Sequence, residues 1–216
     1  MGRVTGRERT ALGPPPASVA GFPAYSVGEG TDLFRAHGRG LGPWWFGNDG
    51  TGRFDLRTPR GTCYVALDPL SALRERLGPV LGGSQAVPES LLEESVVSRL
   101  RLSAARDVAN TQDRGAAVFG VTRELESTVP YAVPQAWARA FDEAGFGGVR
   151  YGPRFTPGDS SALALFDAEG AADWPVDPDP VPAQQVPGAP AALPNPRRSD
   201  LTVVRPPRTR AVREGS

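Results

Sequence analysis

The sequence predicts an α+β fold in which a small, mixed and twisted sheet is flanked by helices. Short apolar or alternating runs such as "TCYVAL", "SRLRLS" and "ALALF" predict strands. Longer runs with apolar residues three or four positions apart predict helices. Because the two kinds of segment do not alternate regularly along the chain, a mixed sheet is favoured over a doubly wound parallel one.

Proline and glycine divide the 216 residues into three parts. Residues 1–28, which include "GPPPASVAGFP", show little periodicity and are predicted to be a flexible arm. Residues 29–168 contain the strand and helix patterns and are the predicted domain. Residues 169–216 are rich in proline, which lacks a backbone donor, and are predicted to be a disordered tail ending in the basic run "RPPRTRAVR". Truncation near Trp174 is therefore expected to leave the fold intact.

The domain opens with two predicted strands separated by a loop. "TDLFRAHG" predicts a strand with Leu33 and Arg35 on one face and Phe34 and Ala36 on the other. The glycine-rich, aromatic run "LGPWWFGNDGTG" predicts the loop. "TCYVAL" predicts the second strand, with Tyr64 on the face opposite its larger apolar side chains.

A helix is predicted directly after that second strand. Asp68 is placed to cap it, Pro69 suits its first position, and Gly78 is expected to end it. Glu75 points away from the apolar stripe, so it is available for a site or for solvent but not for core packing. The stripe consists of Leu70, Leu73 and Leu77.

Further elements follow in the second half of the domain. "PESLLEESVV" predicts a second helix, which runs into a half-buried strand at "SRLRLS". "VPQAWARAFDEAGFGG" predicts a third helix, with Gly145 beyond its end. "GVRYG" and "ALALF" predict two last strands, joined by the loop "PRFTPGDSS".

Composition excludes several classes of function. The formal net charge is zero, so no overall field attracts nucleic acid or an anionic membrane, and neither is an expected partner. The single cysteine, Cys63, fits a reducing compartment, and with no membrane-spanning run the chain is predicted to be cytoplasmic. Cys63 is expected to be a buried, inert thiol and His37 a loop residue. One cysteine and one histidine exclude zinc ribbons and His–His metal sets, so no metal is predicted.

The order of four motifs resembles the RES domain family. "LFRAHG" is followed by "GRFD", then by "GTCYVALDPLSALRE", and finally by "AGFGGVRY" with "ALALF". The resemblance covers roughly residues 31–167. It implies an ADP-ribosyltransferase-like fold and an enzyme that consumes NAD by hydrolysis or phosphorolysis of the nicotinamide–ribose bond. Many members are toxins, so the resemblance also implies an antitoxin partner with an Xre-type helix-turn-helix region.

The resemblance places family residues on named positions of this chain. Arg35 stands at the arginine of "LFRAHG", Arg53 at that of "GRFD", Tyr64 at the strand tyrosine and Glu75 at the glutamate. Arg35, Tyr64 and Glu75 are thereby predicted to be catalytic. Arginine forks suit the pyrophosphate of NAD, tyrosine can stack on nicotinamide, and a carboxylate can stabilise the positive charge that develops on ribose.

The sequence departs from the family pattern at its serine. That serine follows the tyrosine of a "Y-x-S-R"-like stretch, but here the stretch is "YGPRF" and Pro153 stands in its place. Proline has no hydroxyl. Ser160 and Ser161 lie in the same loop as candidate replacements. The two alternatives are a shifted alignment of this stretch with the family pattern and a degenerate site. Arg53, Arg154 and Ser161 are predicted to bind NAD.

Three hypotheses therefore remain open from the sequence. The first is an NAD glycohydrolase or phosphorylase, as the toxin of a toxin–antitoxin pair. The second is a non-catalytic RES-like module that binds a nucleotide or a protein. The third is an ADP-ribosyltransferase that acts on a macromolecule.

Overall fold

The computed structural model describes residues 12–81 and 86–195. Residues 1–11 of the predicted arm and 196–216 of the predicted tail, which contain the basic run, lie outside the described residues. The strands are β1 Ala24–Val27, β2 Leu33–Gly38, β3 Trp45–Phe46, β4 Arg60–Ala66, β5 Ala86–Pro88, β6 Ser95–Leu100, β7 Arg106–Asn110, β8 Gly148–Tyr151, β9 Ala162–Ala168, β10 Gly170–Ala171, β11 Val181–Pro182 and β12 Ala191–Leu193. The helices are α1 Pro69–Leu81, α2 Glu89–Glu93 and α3 Ala132–Glu143, with 3-10 helices at Arg114–Phe119, Arg123–Glu126 and Ala183–Gln185.

A mixed sheet of eight strands organises the described part of the chain. Its order is β1-β7-β8-β9-β4-β2-β6-β11, with β7 and β8 parallel and the other neighbours antiparallel. The predicted fold class, a mixed sheet flanked by helices, is confirmed. The sheet is larger than expected because β7 was not predicted and because the predicted arm and tail supply β1 and β11.

The sheet separates into two halves between β2 and β4. Strand β2 pairs with β6 along six residues, and β4 pairs with β9 along seven. Between β2 and β4 themselves, both wholly within the described chain, Phe34 and Ala66 are the only paired residues. The two strands are therefore neighbours at one point only, and a gap can open beyond it.

Helices and loops cover both faces of the sheet. Helix α3 brings Trp137 and Phe141 against one face, and α1 brings Leu73 and Leu77 against the same side of the other half. Cys63 lies on the opposite face of the sheet and is fully buried, as predicted. The aromatic residues of the β2–β4 connection cover that face. Burial of these side chains is the main favourable contribution to folding.

Helix α1 begins as predicted but ends later. The carboxylate of Asp68 accepts from the Ser71 backbone N–H at 2.8 Å and caps the first turn. The helix continues past Gly78 to Leu81. A Cβ on Gly78 would overlap the ring of Phe155, so the glycine is needed for close packing and not to end the helix. Among the described residues, no helix is long and apolar enough to cross a membrane.

The second and third predicted helices have different outcomes. Helix α2 is only five residues long, and Val96 and Val97, predicted as its end, belong to β6. Their branched side chains suit a strand, and they are buried opposite β2. The third helix is confirmed as α3, and Gly145, with φ 90°, takes the left-handed conformation just beyond its end.

The described part of the predicted arm is packed into the fold. Strand β1 pairs with β7, and Phe22 is buried among Phe119, Phe141 and Trp137. The indole N–H of Trp137 donates to the Gly13 carbonyl at 3.0 Å. This differs from the predicted flexible arm because a few large apolar side chains anchor a segment that has no periodic pattern.

The described part of the predicted tail also crosses the sheet. Strand β11 pairs with β6, and Trp174 packs edge-on against Trp44 and Phe46. Although proline has no donor, its carbonyl can accept, and Pro175 O accepts from the Arg101 N–H and the Trp44 indole. Truncation near Trp174 would remove these contacts, which argues against the expectation that it leaves the fold intact.

We predict that Trp174→Ala lowers the free energy of unfolding by about 2–4 kcal/mol, because it removes a partly buried ring from an aromatic cluster. Trp45→Ala is the matched control: Trp45 is 55% exposed, and its loss should change stability by about 0.5 kcal/mol or less. Chemical denaturation of both variants measures the difference. Equal stability of the two variants would show that the segment around Trp174 does not hold the fold.

Candidate NAD site at the split in the sheet

A cavity of about 560 Å³ lies where β2 and β4 separate. Its walls are the facing residues of β2 and β4, one side of α1, the loop that contains "GRFD", and the loop between β8 and β9. The residues that line it are Phe34, Arg35, Ala36, Thr51, Gly52, Arg53, Tyr64, Val65, Ala66, Ala72, Glu75, Arg76, Pro79, Glu126, Tyr131, Tyr151, Arg154, Phe155 and Ala162.

The charged groups of this cavity favour an anion with polar, hydroxyl-bearing parts. Among the described residues, four arginines and two glutamates line it, together with tyrosine and phenylalanine rings: Arg35, Arg53, Arg76, Arg154, Glu75 and Glu126. Guanidinium groups bind phosphate oxygens in forks, carboxylates accept from hydroxyls, and aromatic rings stack on flat heterocycles. Within residues 12–81 and 86–195, no three His, Cys, Asp or Glu side chains are grouped so as to hold a metal ion.

Glu75 projects from α1 into the cavity, on the side of the helix away from its buried leucines. Its Oε1 accepts from the Phe155 backbone N–H at 2.6 Å. Burial raises the pKa of Glu75, while the N–H groups of Phe155 and Arg154 and the charges of Arg53 and Arg154 oppose that rise. The carboxylate is therefore a partly desolvated base, fixed by the backbone of the facing loop.

That facing loop is attached to α1 at three points. Besides the Glu75 contact, the Arg74 Nε–H donates to the Phe155 carbonyl at 2.8 Å, and the Phe155 ring lies directly over Gly78. These contacts hold Arg154, an exposed residue whose guanidinium lies 5.3 Å from the centre of the Phe155 ring, at the edge of the cavity.

Arg53 is the most buried arginine of the cavity, with 8% of its surface exposed. Its Nη1 donates to the Thr128 carbonyl at 2.6 Å, and its guanidinium lies 4.8 Å from the centre of the Tyr131 ring. Because these contacts fix the side chain, a ligand would meet a guanidinium that needs little ordering on binding.

Tyr64 orients its hydroxyl towards the "GRFD" loop. The hydroxyl donates to Asp55 Oδ1 and accepts from the Phe54 N–H, both at 2.8 Å. Asp55 Oδ2 also accepts from the Gly52 N–H at 2.8 Å. Burial raises the pKa values of both Tyr64 and Asp55. Tyr64 thus lines the cavity while it fixes the loop that carries Arg53.

Arg35 spans the gap between the two halves of the sheet. Its Nη1 donates to the carbonyls of Pro43 and Trp45, at 2.6 and 3.0 Å, and lies 2.9 Å from Cys63 Sγ on β4. Burial raises the pKa of the Cys63 thiol, which keeps it protonated. Through these contacts Arg35 fixes the width of the split. Its guanidinium is bonded to groups of the protein and is not directed at a ligand.

The structure does not bring Ser161 into the cavity. Ser161 is 4% exposed; its hydroxyl accepts from Arg150 at 3.1 Å and donates to Gln112 at 2.7 Å. Pro153 is buried and does not line the cavity either. His37 was predicted in a loop, but it lies in β2 and contacts the Ser98 hydroxyl at 2.8 Å, because the strand pattern extends through it.

Several residues that line the cavity or support its walls were not found from the sequence. Arg76 and Glu126 line the cavity but are not residues of the four motifs. Arg76 directly follows Glu75 in the same helix, whereas Glu126 is brought to the cavity by folding. Asp55 is part of "GRFD", and its place in a motif with a glycine and an arginine was the sign in the sequence that it could belong to the site. Gln135 donates to the carbonyls of Gly50 and Gly52, and no pattern in the sequence linked α3 to that loop.

We predict that Gly78→Ala lowers the melting temperature, although alanine in a helix normally stabilises by about 1 kcal/mol relative to glycine. The new methyl group would displace the Phe155 ring and loosen the loop that carries Arg154. In a Phe155→Ala background, the same change should instead raise the melting temperature. A stabilising Gly78→Ala in the wild-type background would contradict the packing described here.

Comparisons with known proteins identify a family and a similar fold. A model of the RES domain matches residues 32–187. Among solved structures, a chain of the crystal structure of the M. tuberculosis MbcT-MbcA toxin-antitoxin complex is similar, with a TM-score of 0.51 and 14% identity, over 65% of this chain and 76% of that chain. At that identity the similarity shows a shared fold. A comparison with curated proteins finds no match. The RES model matches well over half of this chain, and the chain therefore belongs to the RES domain family.

Proposed function

We propose that this chain is an enzyme that consumes NAD by cleaving its nicotinamide–ribose bond. The observation that carries the proposal is the position of Glu75, a partly desolvated carboxylate that lines the cavity at the split of the sheet together with Arg53 and Arg154. RES family membership supports it, since the family resemblance implies NAD as substrate. NAD would be bound as substrate, and no metal is part of the proposal.

Binding is assigned to the fixed arginines. The pyrophosphate of NAD carries two negative charges, which guanidinium groups can bind. Arg53 and Arg154 are the cavity arginines whose charges oppose the rise in the pKa of Glu75. The rings of Tyr64 and Tyr151 lie in the same cavity and offer a surface for the nicotinamide. Arg35 contributes by fixing the gap between β2 and β4, which makes it a positioning residue.

Glu75 is assigned the chemical role. When the bond between C1′ and the nicotinamide nitrogen breaks, both electrons leave with nicotinamide, and positive charge develops on the ribose. An ionised Glu75 beside that ribose stabilises the charge directly or through a ribose hydroxyl. Water then adds to C1′ and releases a proton, giving ADP-ribose, or phosphate adds and gives ADP-ribose 1″-phosphate.

A biological role as a toxin with an antitoxin partner is part of the same proposal. The similar solved structure is of a toxin–antitoxin complex, and RES membership implies a partner with an Xre-type helix-turn-helix region. NAD depletion would act on the cytoplasmic pool. Co-purification of this chain with the product of a neighbouring gene would test the pairing.

A non-catalytic RES-like module is the second candidate. It is favoured by one observation: no serine is among the described residues that line the cavity, and Ser161 faces Arg150 instead. Such a module would bind NAD without cleaving it. An ADP-ribosyltransferase would instead move the label of adenine-labelled NAD onto a macromolecule.

We predict that the purified protein releases nicotinamide from NAD and that Glu75→Gln lowers kcat/KM by at least about 100-fold, because charge stabilisation in the transition state is lost. Chromatography of NAD and its products, with and without phosphate, also distinguishes hydrolysis from phosphorolysis. Glu143→Gln, an exposed change on α3 outside the cavity, is the matched control. Binding of NAD without cleavage in either buffer would reject the enzyme and favour the module.

We predict an acidic limb in the pH profile of kcat/KM, centred above the ordinary pKa of glutamate, because burial raises the pKa of Glu75 and only its ionised form is active. Protonation of Glu75 should not unfold the protein: a carboxyl whose pKa is raised by folding favours the native state more as pH falls through that pKa. Melting temperatures across the same range check this. A limb at or below the ordinary value would remove Glu75 from its assigned role.

A further inference from the structure

A second cavity, of about 290 Å³, adjoins the first at Glu126. This cavity lies beside the 3-10 helices Arg114–Phe119 and Arg123–Glu126, and Thr111, Arg114 and Arg123 contribute to its walls. Glu126 lines both cavities. A ligand that extends from the first cavity into the second would therefore pass this carboxylate.

Glu126 has close neighbours on two sides at this junction. Its Oε1 lies 3.1 Å from Thr111 Oγ1, while the single proton of that hydroxyl makes the shorter bond, 2.7 Å, to the Arg150 carbonyl. On its other side is Gly152, where an added Cβ would stand only 2.8 Å from Oε2. Glycine at 152 thus gives the carboxylate its room. Glu126 is therefore a second carboxylate at the cavity, beside the β8–β9 loop whose backbone binds Glu75.

The proposed substrate has two ribose diols with a diphosphate between them. Glu75 accounts for one ribose, and Arg53 and Arg154 account for the diphosphate, which leaves the adenosine ribose unassigned. A carboxylate accepts hydrogen bonds from a 2′-hydroxyl and repels a 2′-phosphate, as it does in other NAD sites. We propose that Glu126 binds the adenosine ribose and makes this chain select NAD over NADP, an inference that rests on the proposed function.

The arginines of the second cavity oppose this selectivity. Arg114 and Arg123 also line the cavity and could attract a 2′-phosphate, but both side chains are exposed, where solvent and salt screen their charge. Glu126 is half-buried at the junction, so its charge acts through less water. The charge of Glu126 therefore outweighs those of the two arginines, and the site favours exclusion of the 2′-phosphate.

The test compares kcat/KM for NAD and NADP in the full-length protein. We expect the wild type to prefer NAD by at least about tenfold, which corresponds to about 1.4 kcal/mol. Glu126→Gln should reduce that preference by about tenfold or more, mainly by improving the KM for NADP, with an unchanged melting temperature. Glu143→Gln, on the exposed side of α3, should leave the preference unchanged.

Failure of this inference is distinguishable from failure of the proposed function. Cleavage of NAD and NADP with equal efficiency, or equal loss of both activities in Glu126→Gln, overturns the role of Glu126 while NAD cleavage stands. If neither dinucleotide is cleaved, calorimetric affinities of the same variants decide: a preference for NAD that Glu126→Gln removes supports the inference. Equal affinities, or binding of neither dinucleotide, overturn it.

Discussion

Strands β2 and β4 lie side by side in the sheet, but within the described chain they pair only at Phe34 and Ala66. Each strand pairs along its outer side, β2 with β6 and β4 with β9, so each half of the sheet is hydrogen-bonded without the other. The gap between them becomes the floor of the cavity. Arg35 reaches across it to the β4 thiol and to two carbonyls, which limits how far the halves can move apart.

The cavity walls are held by contacts that also order its charged groups. Asp55 and Tyr64 fix the loop that carries Arg53, and Gln135 holds the same loop from α3. Glu75 and Arg74 bind the backbone of the loop that carries Arg154. Groups fixed before a ligand arrives lose little entropy on binding, and fixed charges stabilise a transition state without reorganising.

Much of this arrangement was accessible from sequence patterns, and the rest was not for physical reasons. Helical periodicity placed Glu75 off the core face, and motif order brought together Arg53, Tyr64, Glu75 and Arg154, all of which line the cavity. Ser161 was predicted at the site because it lies in the same loop as Pro153. Side chains alternate between the two faces where β9 begins, and this turns Ser161 away from the cavity and towards Arg150. Trp174 lay in a proline-rich run whose composition concealed its packing, because a few large rings can anchor a segment that has no regular hydrogen bonding.

The loop around Pro153, where the family serine was expected, still helps to form the cleft. The backbone around Pro153 still supplies N–H groups to Glu75, and the neighbouring glycine leaves room for Glu126. The most direct measurement of the central claim is a crystal structure of the Glu75→Gln variant with NAD. We expect the dinucleotide between β2 and β4, with its pyrophosphate on Arg53 and Arg154. NAD bound elsewhere, or an empty split at saturating NAD, would contradict the account.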